Sequence, residues 1–211
     1  MIIAIDGPAA AGKGTLAKRL AAHFDLAFLD TGRLYRAVGY GILQAGGDPN
    51  DLKTAVAAAR ALDPANVDTG DLYTEKVADA ASVVAAIGDV RKELLTFQRN
   101  FAHKPPGGKI GAVLDGRDIA SVVCPDADHK LFITASPEVR AKRRFKELQE
   151  NGLESTYAAV LADIEQRDQR DRTRKVSPLK AVDARVIDTS DKSPDAVFQE
   201  ALDHIESERS E

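Results

Sequence analysis
Apolar residues fall into two patterns along the chain. Short apolar-rich runs at 2–5, 26–29, 111–114, 130–134 and 185–187 are too brief for helices and are bounded by turn residues, so they read as strands. Four of the five run straight into an aspartate: Asp6, Asp30, Asp115 and Asp188. Between the runs, apolar positions recur at helical spacing, as in Leu16, Leu20 and Phe24. The spacing predicts helices after residue 13 and over 33–44, 51–62, 75–86, 89–101, 137–149, 155–172 and 194–205. Asp51 and Asp89 are the expected caps, and Ser136-Pro137 and Ser193-Pro194 the expected helix starts. Gly46-Gly47, Gly88 and Asn151-Gly152 are stops, residues 63–75 and 103–109 read as loops, and 207–211 as a frayed end. Strands alternating with helices give an α/β chain, with a five-stranded parallel sheet covered on both faces. Ligands in such sheets sit at the carboxyl ends of the strands, where Asp6-Gly7, Asp30-Thr31-Gly32 and 115–118 lie.

The first of those ends carries the clearest chemistry. The run Gly7-Pro8-Ala9-Ala10-Ala11-Gly12-Lys13-Gly14-Thr15 follows a strand and opens an amphipathic helix, the context of a P-loop. Its glycines let successive N–H groups turn inward, and the helix N-terminus behind adds positive potential, so the turn forms an anion cage. Lys13 reaches over the cage to the outer phosphates. Gly14 stands where many P-loop proteins place a magnesium-binding Ser or Thr, and Thr15 is one position late. Direct ligation of Mg²⁺ by a side chain is therefore not expected. The ion would come with ATP, held by phosphates and waters, with Thr15 reached through water.

Composition narrows the setting. The 211 residues suit one domain with a modest insertion. A formal net charge of −4 argues against bulk binding to nucleic acid or to an anionic membrane. No apolar run approaches the roughly 18 residues of a membrane span. The four histidines lack metal-site spacing. With Cys124 the single cysteine and the chain opening directly on a strand, a cytoplasmic protein is expected.

Phosphoryl transfer requires cations more than a catalytic base, because an acceptor phosphate is already ionised near neutral pH. Lys13, Arg36, Arg91 and Arg117 sit at strand ends or helix openings, and Arg167, Arg170, Arg172 and Arg174 form a cluster. Arginine suits the role because its planar fork binds two phosphate oxygens at once. The residues alone leave that cluster open to a second reading, a solvated helix face of alternating ion pairs, and the same holds for 138–147. Asp118 has a second reading, as a loop-capping aspartate or a helper to magnesium.

Taken together, GPAAAGKGT (7–15), DTGRLYR (30–36), DGRD (115–118) and RDQRDRTR (167–174) resemble the bacterial cytidylate kinases, members of the nucleoside monophosphate kinase family of P-loop proteins. The resemblance runs from residue 2 to about 205. It implies a P-loop NTPase-type fold with a short acceptor-binding insertion and a helical lid. It implies that the 7–15 loop holds ATP, with Arg143 and Arg144 (and Arg140 beside them) at the arginine-rich lid edge. It places Thr31, Arg36, Ser82, Arg91, Arg117, Asp118, Arg167, Asp171 and Arg174 around the acceptor nucleotide. Asp118 would accept from the cytosine amino group, with Ser82 and Arg91 reading beside it. Lys13, Arg36, Arg117 and Arg167 would carry the charge of transfer. Four features depart from the family: Thr31 in place of Ser, Ile119-Ala120-Ser121 in place of Met-Gly-Thr, Tyr73 in place of Arg, and a shortened stretch between 49 and 81.

The expected activity is ATP-dependent phosphorylation of CMP and dCMP, with Mg²⁺, by a monomer. The expected layout is a core of 1–48, 87–140 and 175–211, an acceptor insertion of about 49–86, and a lid of about 141–174. Two rivals remain at this stage: a kinase of UMP or AMP on the same fold, and a P-loop nucleotide switch. The cytosine-reading set argues against the first. The lack of an Asn-Lys-x-Asp motif argues against a guanine-reading switch.

Overall fold
The structure of the protein, a computed structural model, describes residues 1–64, 72–150 and 152–209. Five parallel strands, β1 (Ile2–Asp6), β2 (Ala27–Asp30), β3 (Ala112–Gly116), β4 (His129–Thr134) and β5 (Arg185–Asp188), form one sheet in the order β2-β3-β1-β4-β5. Helices cover both faces, as the alternation of elements predicts. Central β1 therefore shows no in–out alternation: Ile3, Ala4 and Ile5 are all fully buried. On one face α1 (Lys13–His23) and α8 (Pro194–Arg209) pack through Leu20 and Ala201 onto Ile5, Ile133 and Ile187. On the other, α5 (Gly88–His103) and a π-type turn at Ile119–Val123 pack through Ala102, Ile119 and Val123 onto Ala4 and Leu114. Each fully buried Leu or Ile contributes about 1.5–3 kcal/mol through removal of apolar surface from water.

Three helices build the wall beside the β2 edge. α2 (Thr31–Gln44), α3 (Leu52–Ala61) and α4 (Glu75–Val84) share an apolar cluster with α5 that includes Leu34, Val38, Ala55, Val84 and Leu94. α2 and α4 cross closely at Gly39, where an added Cβ would lie 3.0 Å from both the Ala80 Cβ and the Ala81 backbone nitrogen. The remaining pair, α6 (Pro137–Glu150) and α7 (Tyr157–Thr173), packs through Ala141, Leu148, Val160 and Ile164.

Several boundaries differ from the sequence reading, each for a local reason. β1, β2 and β3 extend to include Asp6, Asp30 and Asp115, because parallel ladder pairing continues through them. α2 begins at Thr31, with Asp30 as its cap accepting from the Arg33 N–H at 3.2 Å. Asp89 does not cap α5; Ile87 occupies that position and Asp89 lies in the first turn, where its charge still suits the helix N-terminus. Thr156 caps α7, accepting from the Ala159 N–H at 3.2 Å. α8 continues to Arg209, beyond the expected end at 205 and through residues expected to fray. Asp51, Ser136 and Ser193 do cap as expected. Residues 65–71 of the expected loop, and Asn151 of the expected break, lie outside the described residues.

Candidate active site
A cleft of about 450 Å³ opens at the carboxyl ends of β1, β2 and β3. Its floor is the loop between β1 and α1. Gly7 has a positive φ of 149° and packs so tightly on β4 that a Cβ there would collide with the Ile133 carbonyl oxygen. Gly7 and Pro8 make the first bend and do not face the cleft, whereas 9–15 line it. Lys13 is 5% exposed and donates to the Pro8 carbonyl at 2.8 Å, with Asp115 3.8 Å away. Burial, with help from the Arg117 charge, pulls its pKa down to about 8 against the nearby carboxylates of Asp115, Asp30 and Asp6. Burial pushes the Asp115 carboxyl up, with Lys13 opposing.

The opposite wall carries most of the cleft's arginines. Arg91, from α5, pairs with Asp118 and donates to the Ala85 carbonyl at 3.0 Å, and its guanidinium lies 5.2 Å from the Tyr35 ring centre. Arg36 pairs with Asp30 at 2.5 Å, and Tyr73 stacks over it at 4.8 Å. Arg117 and Arg174 both reach Asp171, at 3.2 and 3.4 Å. Thr31 lines the cleft, but its hydroxyl donates to the Asp115 carbonyl at 2.8 Å, which fastens α2 to β3. Arg167 faces the same space, its pKa lowered by burial and by its cationic neighbours Arg117 and Arg144, and no ion pair with a described residue closes on it.

Three buried polar atoms on this wall have no hydrogen-bond partner among the described residues: Ser82 Oγ, Arg36 Nε and Arg174 Nη2. Unpaired buried donors are costly, about 1–3 kcal/mol each. Their convergence on one cleft is what a site shaped for a polar, anionic ligand presents.

The arginines expected at a lid edge divide. Arg144 lines the cleft, donating to Glu75 at 2.6 and 2.9 Å and to the Tyr73 carbonyl at 3.3 Å. Arg143 does not line it; it donates to the Thr189 hydroxyl and carbonyl at 2.9 and 2.6 Å, and Thr189 in turn donates to the Ala11 carbonyl at 3.1 Å. Arg143 thus braces the phosphate loop from behind. Arg140 is not at a lid edge at all. It is 1% exposed, binds both Asp168 oxygens at 3.0 and 2.5 Å and reaches the Ala9 carbonyl at 3.3 Å.

The motif reading gave no role to three carboxylates at the strand ends: Asp30 and Asp115, which line the cleft, and Asp6, which does not. Their shared signal was visible, since each ends a predicted strand beside the phosphate loop. Tyr35 and Tyr73, which stack on site arginines, gave no comparable signal.

A bound metal needs oxygen donors near the phosphates. Among the described residues no three His, Cys, Asp or Glu side chains converge to enclose an ion alone. Asp115 Oδ2 lies 3.4 Å from where a Cβ on Gly14 would stand, so the missing side chain leaves open the space between that carboxylate and the loop. Thr15 is exposed beside it. Asp115, Asp30 and Thr15 are hard oxygen donors of the kind a divalent cation accompanying phosphate takes. No helix among the described residues is long and apolar enough to cross a membrane.

The profile of the cytidylate kinase family matches residues 3–207. A cytidylate kinase of Paramagnetospirillum magneticum is 59% identical over 99% of both chains, and one of Rhodospirillum rubrum is 55% identical over 96% of both. Among solved structures, an uncharacterized protein from Eubacterium ventriosum shares the fold, with a TM-score of 0.58 at 14% identity over 98% of each chain.

Proposed function
The chain belongs to the cytidylate kinase family, and on that premise we propose that it transfers the γ-phosphoryl group of ATP to CMP or dCMP, giving the nucleoside diphosphate and ADP. The observation that carries the reading is one cleft with a phosphate loop and Lys13 on its floor and the Arg91–Asp118 pair on its wall.

The 9–15 backbone and Lys13 receive the ATP phosphates, Arg144 lies at their outer edge, and Arg143 fixes the loop through Thr189. Arg36, Arg117, Arg167 and Arg174 receive the acceptor phosphate and spread its charge in transfer. The unpaired Arg36 Nε and Arg174 Nη2 are ready donors for it, and Asp171 holds Arg117 and Arg174 in place. Asp118 accepts from the cytosine amino group while Arg91 and the unpaired Ser82 hydroxyl address the neighbouring ring edge. Uracil presents a carbonyl at that position and leaves the carboxylate without its donor, a mismatch that discriminates strongly. Mg²⁺ bound with ATP shields the β- and γ-phosphates; Asp115, Asp30 and, through water, Thr15 would hold it. No base is required, since the acceptor oxygen is already ionised.

Residues 141–174 act as the lid over a core of 1–48, 87–140 and 175–211, and 49–86 form the acceptor wall. Closing the lid keeps water from the γ-phosphate. In this reading the protein acts as a monomer in the cytoplasm.

The test is a coupled ADP-release assay with ATP, Mg²⁺ and CMP, dCMP, UMP, AMP or GMP. Turnover confined to CMP and dCMP is expected. Turnover with another acceptor alone would overturn the base-reading assignment, and none with any would overturn the function.

A further inference from the structure
Asp118 stands immediately before the turn Ile119–Val123, where an aspartate side chain ordinarily caps the N–H groups that follow it. It makes no such bond. Its carboxylate pairs with Arg91 instead. The first two N–H groups of the turn, Ile119 and Ala120, are taken by a residue more than a hundred positions away, and of these Ala120 is the one that an aspartate at 118 could itself cap. Asp6, at the end of β1, accepts from Ile119 N on one carboxylate oxygen and from Ala120 N on the other, both at 2.8 Å. Ladder pairing of Asp6 with Gly116 sets that carboxylate beneath the turn. Asp6 is 2% exposed and does not line the cleft, so it touches no substrate.

Burying a carboxylate is costly. Burial pushes the Asp6 pKa up to about 6, with the two N–H donors and Lys13 opposing and the charge of Asp118 adding to the rise. A neutral apolar residue would avoid that cost, but would leave two buried N–H groups without their acceptor.

We infer that Asp6 is a positioning residue for the acceptor base: by capping the 119–123 turn in place of Asp118, it leaves the Asp118 carboxylate free to read the base. The inference rests on the proposed (d)CMP kinase function and on Asp118 as its base reader. Because Gly7 follows Asp6 directly, the same carboxylate ties the root of the phosphate loop to the base-reading turn.

The test is Asp6→Asn. An amide has one acceptor oxygen, so one N–H loses its partner and Asp118 is drawn back to cap its own turn. The ratio of kcat/KM for CMP to that for UMP is expected to fall at least tenfold, chiefly through the KM for CMP, with a smaller change in the KM for ATP. On an Asp118→Ala background the same substitution should leave the ratio unchanged. An equal loss with both acceptors, or a further fall in the double variant, would overturn the inference, since either marks a general structural role. A wild-type chain without preference for CMP would overturn the proposed function and this inference with it. If Asp6→Asn fails to fold, the wild-type ratio is followed from pH 7.5 to 5.5. The acceptor phosphate also titrates near pH 6, but it cancels in the ratio. Charged or titratable groups facing Asp6 are Lys13 on α1, Asp118 on the turn and Cys124 behind it. The ratio should fall as Asp6 takes up a proton, and a constant ratio would overturn the inference.

Discussion
The same chemical pair, arginine with carboxylate, appears at the root and at the rim of the α6–α7 hairpin, in opposite surroundings. At the root, Arg140 and Asp168 are buried, joined by two hydrogen bonds, and tied to the Ala9 carbonyl of the phosphate loop. At the rim, the side of the hairpin turned to α4 rather than its far end, Arg144 meets Glu75 and Arg170 meets Asp79, with the carboxylate side chains 39% and 61% exposed. Water screens the rim pairs, so each is worth at most about 1 kcal/mol. The root pair has no water to fall back on: losing one partner strands the other, at about 3–5 kcal/mol. Burial, not the identity of the pair, separates a fixed anchor from a releasable latch. Among the described residues, the rim pairs join the hairpin to α4 and to the Tyr73 carbonyl just before it, while the root pair joins it to the loop after β1.

The harshest test of this contrast is on the cleft floor. Lys13→Ala should lower transfer about a thousandfold or more with every acceptor, because a buried cation aimed at developing charge is lost; steady-state kinetics beside an unchanged circular dichroism spectrum checks it. Next comes the root: Arg140→Met should cost about 3–5 kcal/mol in a urea titration, since it leaves Asp168 buried without its partner. Asp118→Ala should cut the preference for CMP over UMP by about a hundredfold, read from kcat/KM with each.

A smaller effect concerns pH. Lys13 binds phosphate in its charged form, and its pKa is lowered to about 8 in the free protein. The kcat/KM for ATP should therefore decline as pH rises through about 8. Its effect on stability runs the other way. The cost of burying the charge is fully present below about 8 and disappears as pH rises towards the unfolded value of 10.5. In urea titrations the stability of wild type relative to Lys13→Met should rise as pH passes through that window. Smallest of all, Glu75→Gln and Asp79→Asn should each change stability by less than about 1 kcal/mol, yet together raise hydrogen exchange along the outer turns of α6 and α7. A loss comparable to Arg140→Met would erase the distinction between root and rim.

The phosphate loop was fully legible in the sequence, because local spacing alone determines it. So was the sheet, whose short apolar runs have no other reading. The residues of the 167–174 cluster alone left it between a phosphate-binding set and a solvated face of ion pairs, and helical geometry then sorts it. Arg167, Asp171 and Arg174 share one face towards the cleft, Asp168 turns to Arg140, and Arg170 turns to α4. Whether such a cluster is a solvated surface or a site depends on which helix lies opposite, and a single sequence does not carry that. Asp6 was hidden for a related reason. Its partners are backbone N–H groups at 119 and 120, which have no side-chain signature, and only the β1–β3 register brings them over it. The caps at Asp51 and Ser136 were readable because donor and acceptor lie three residues apart.

The close crossing of α2 and α4 at Gly39 works as a caliper. Arg36 lies one turn before Gly39 on one jaw, and Ser82 lies just past Ala80 on the other. With backbone nearly touching backbone, neither jaw can slide without lifting the other. The distance from the Arg36 guanidinium to the Ser82 hydroxyl, in the proposed function the phosphate and base contacts, is thereby gauged before any nucleotide arrives. An acceptor is measured for length as well as for the pattern of its base.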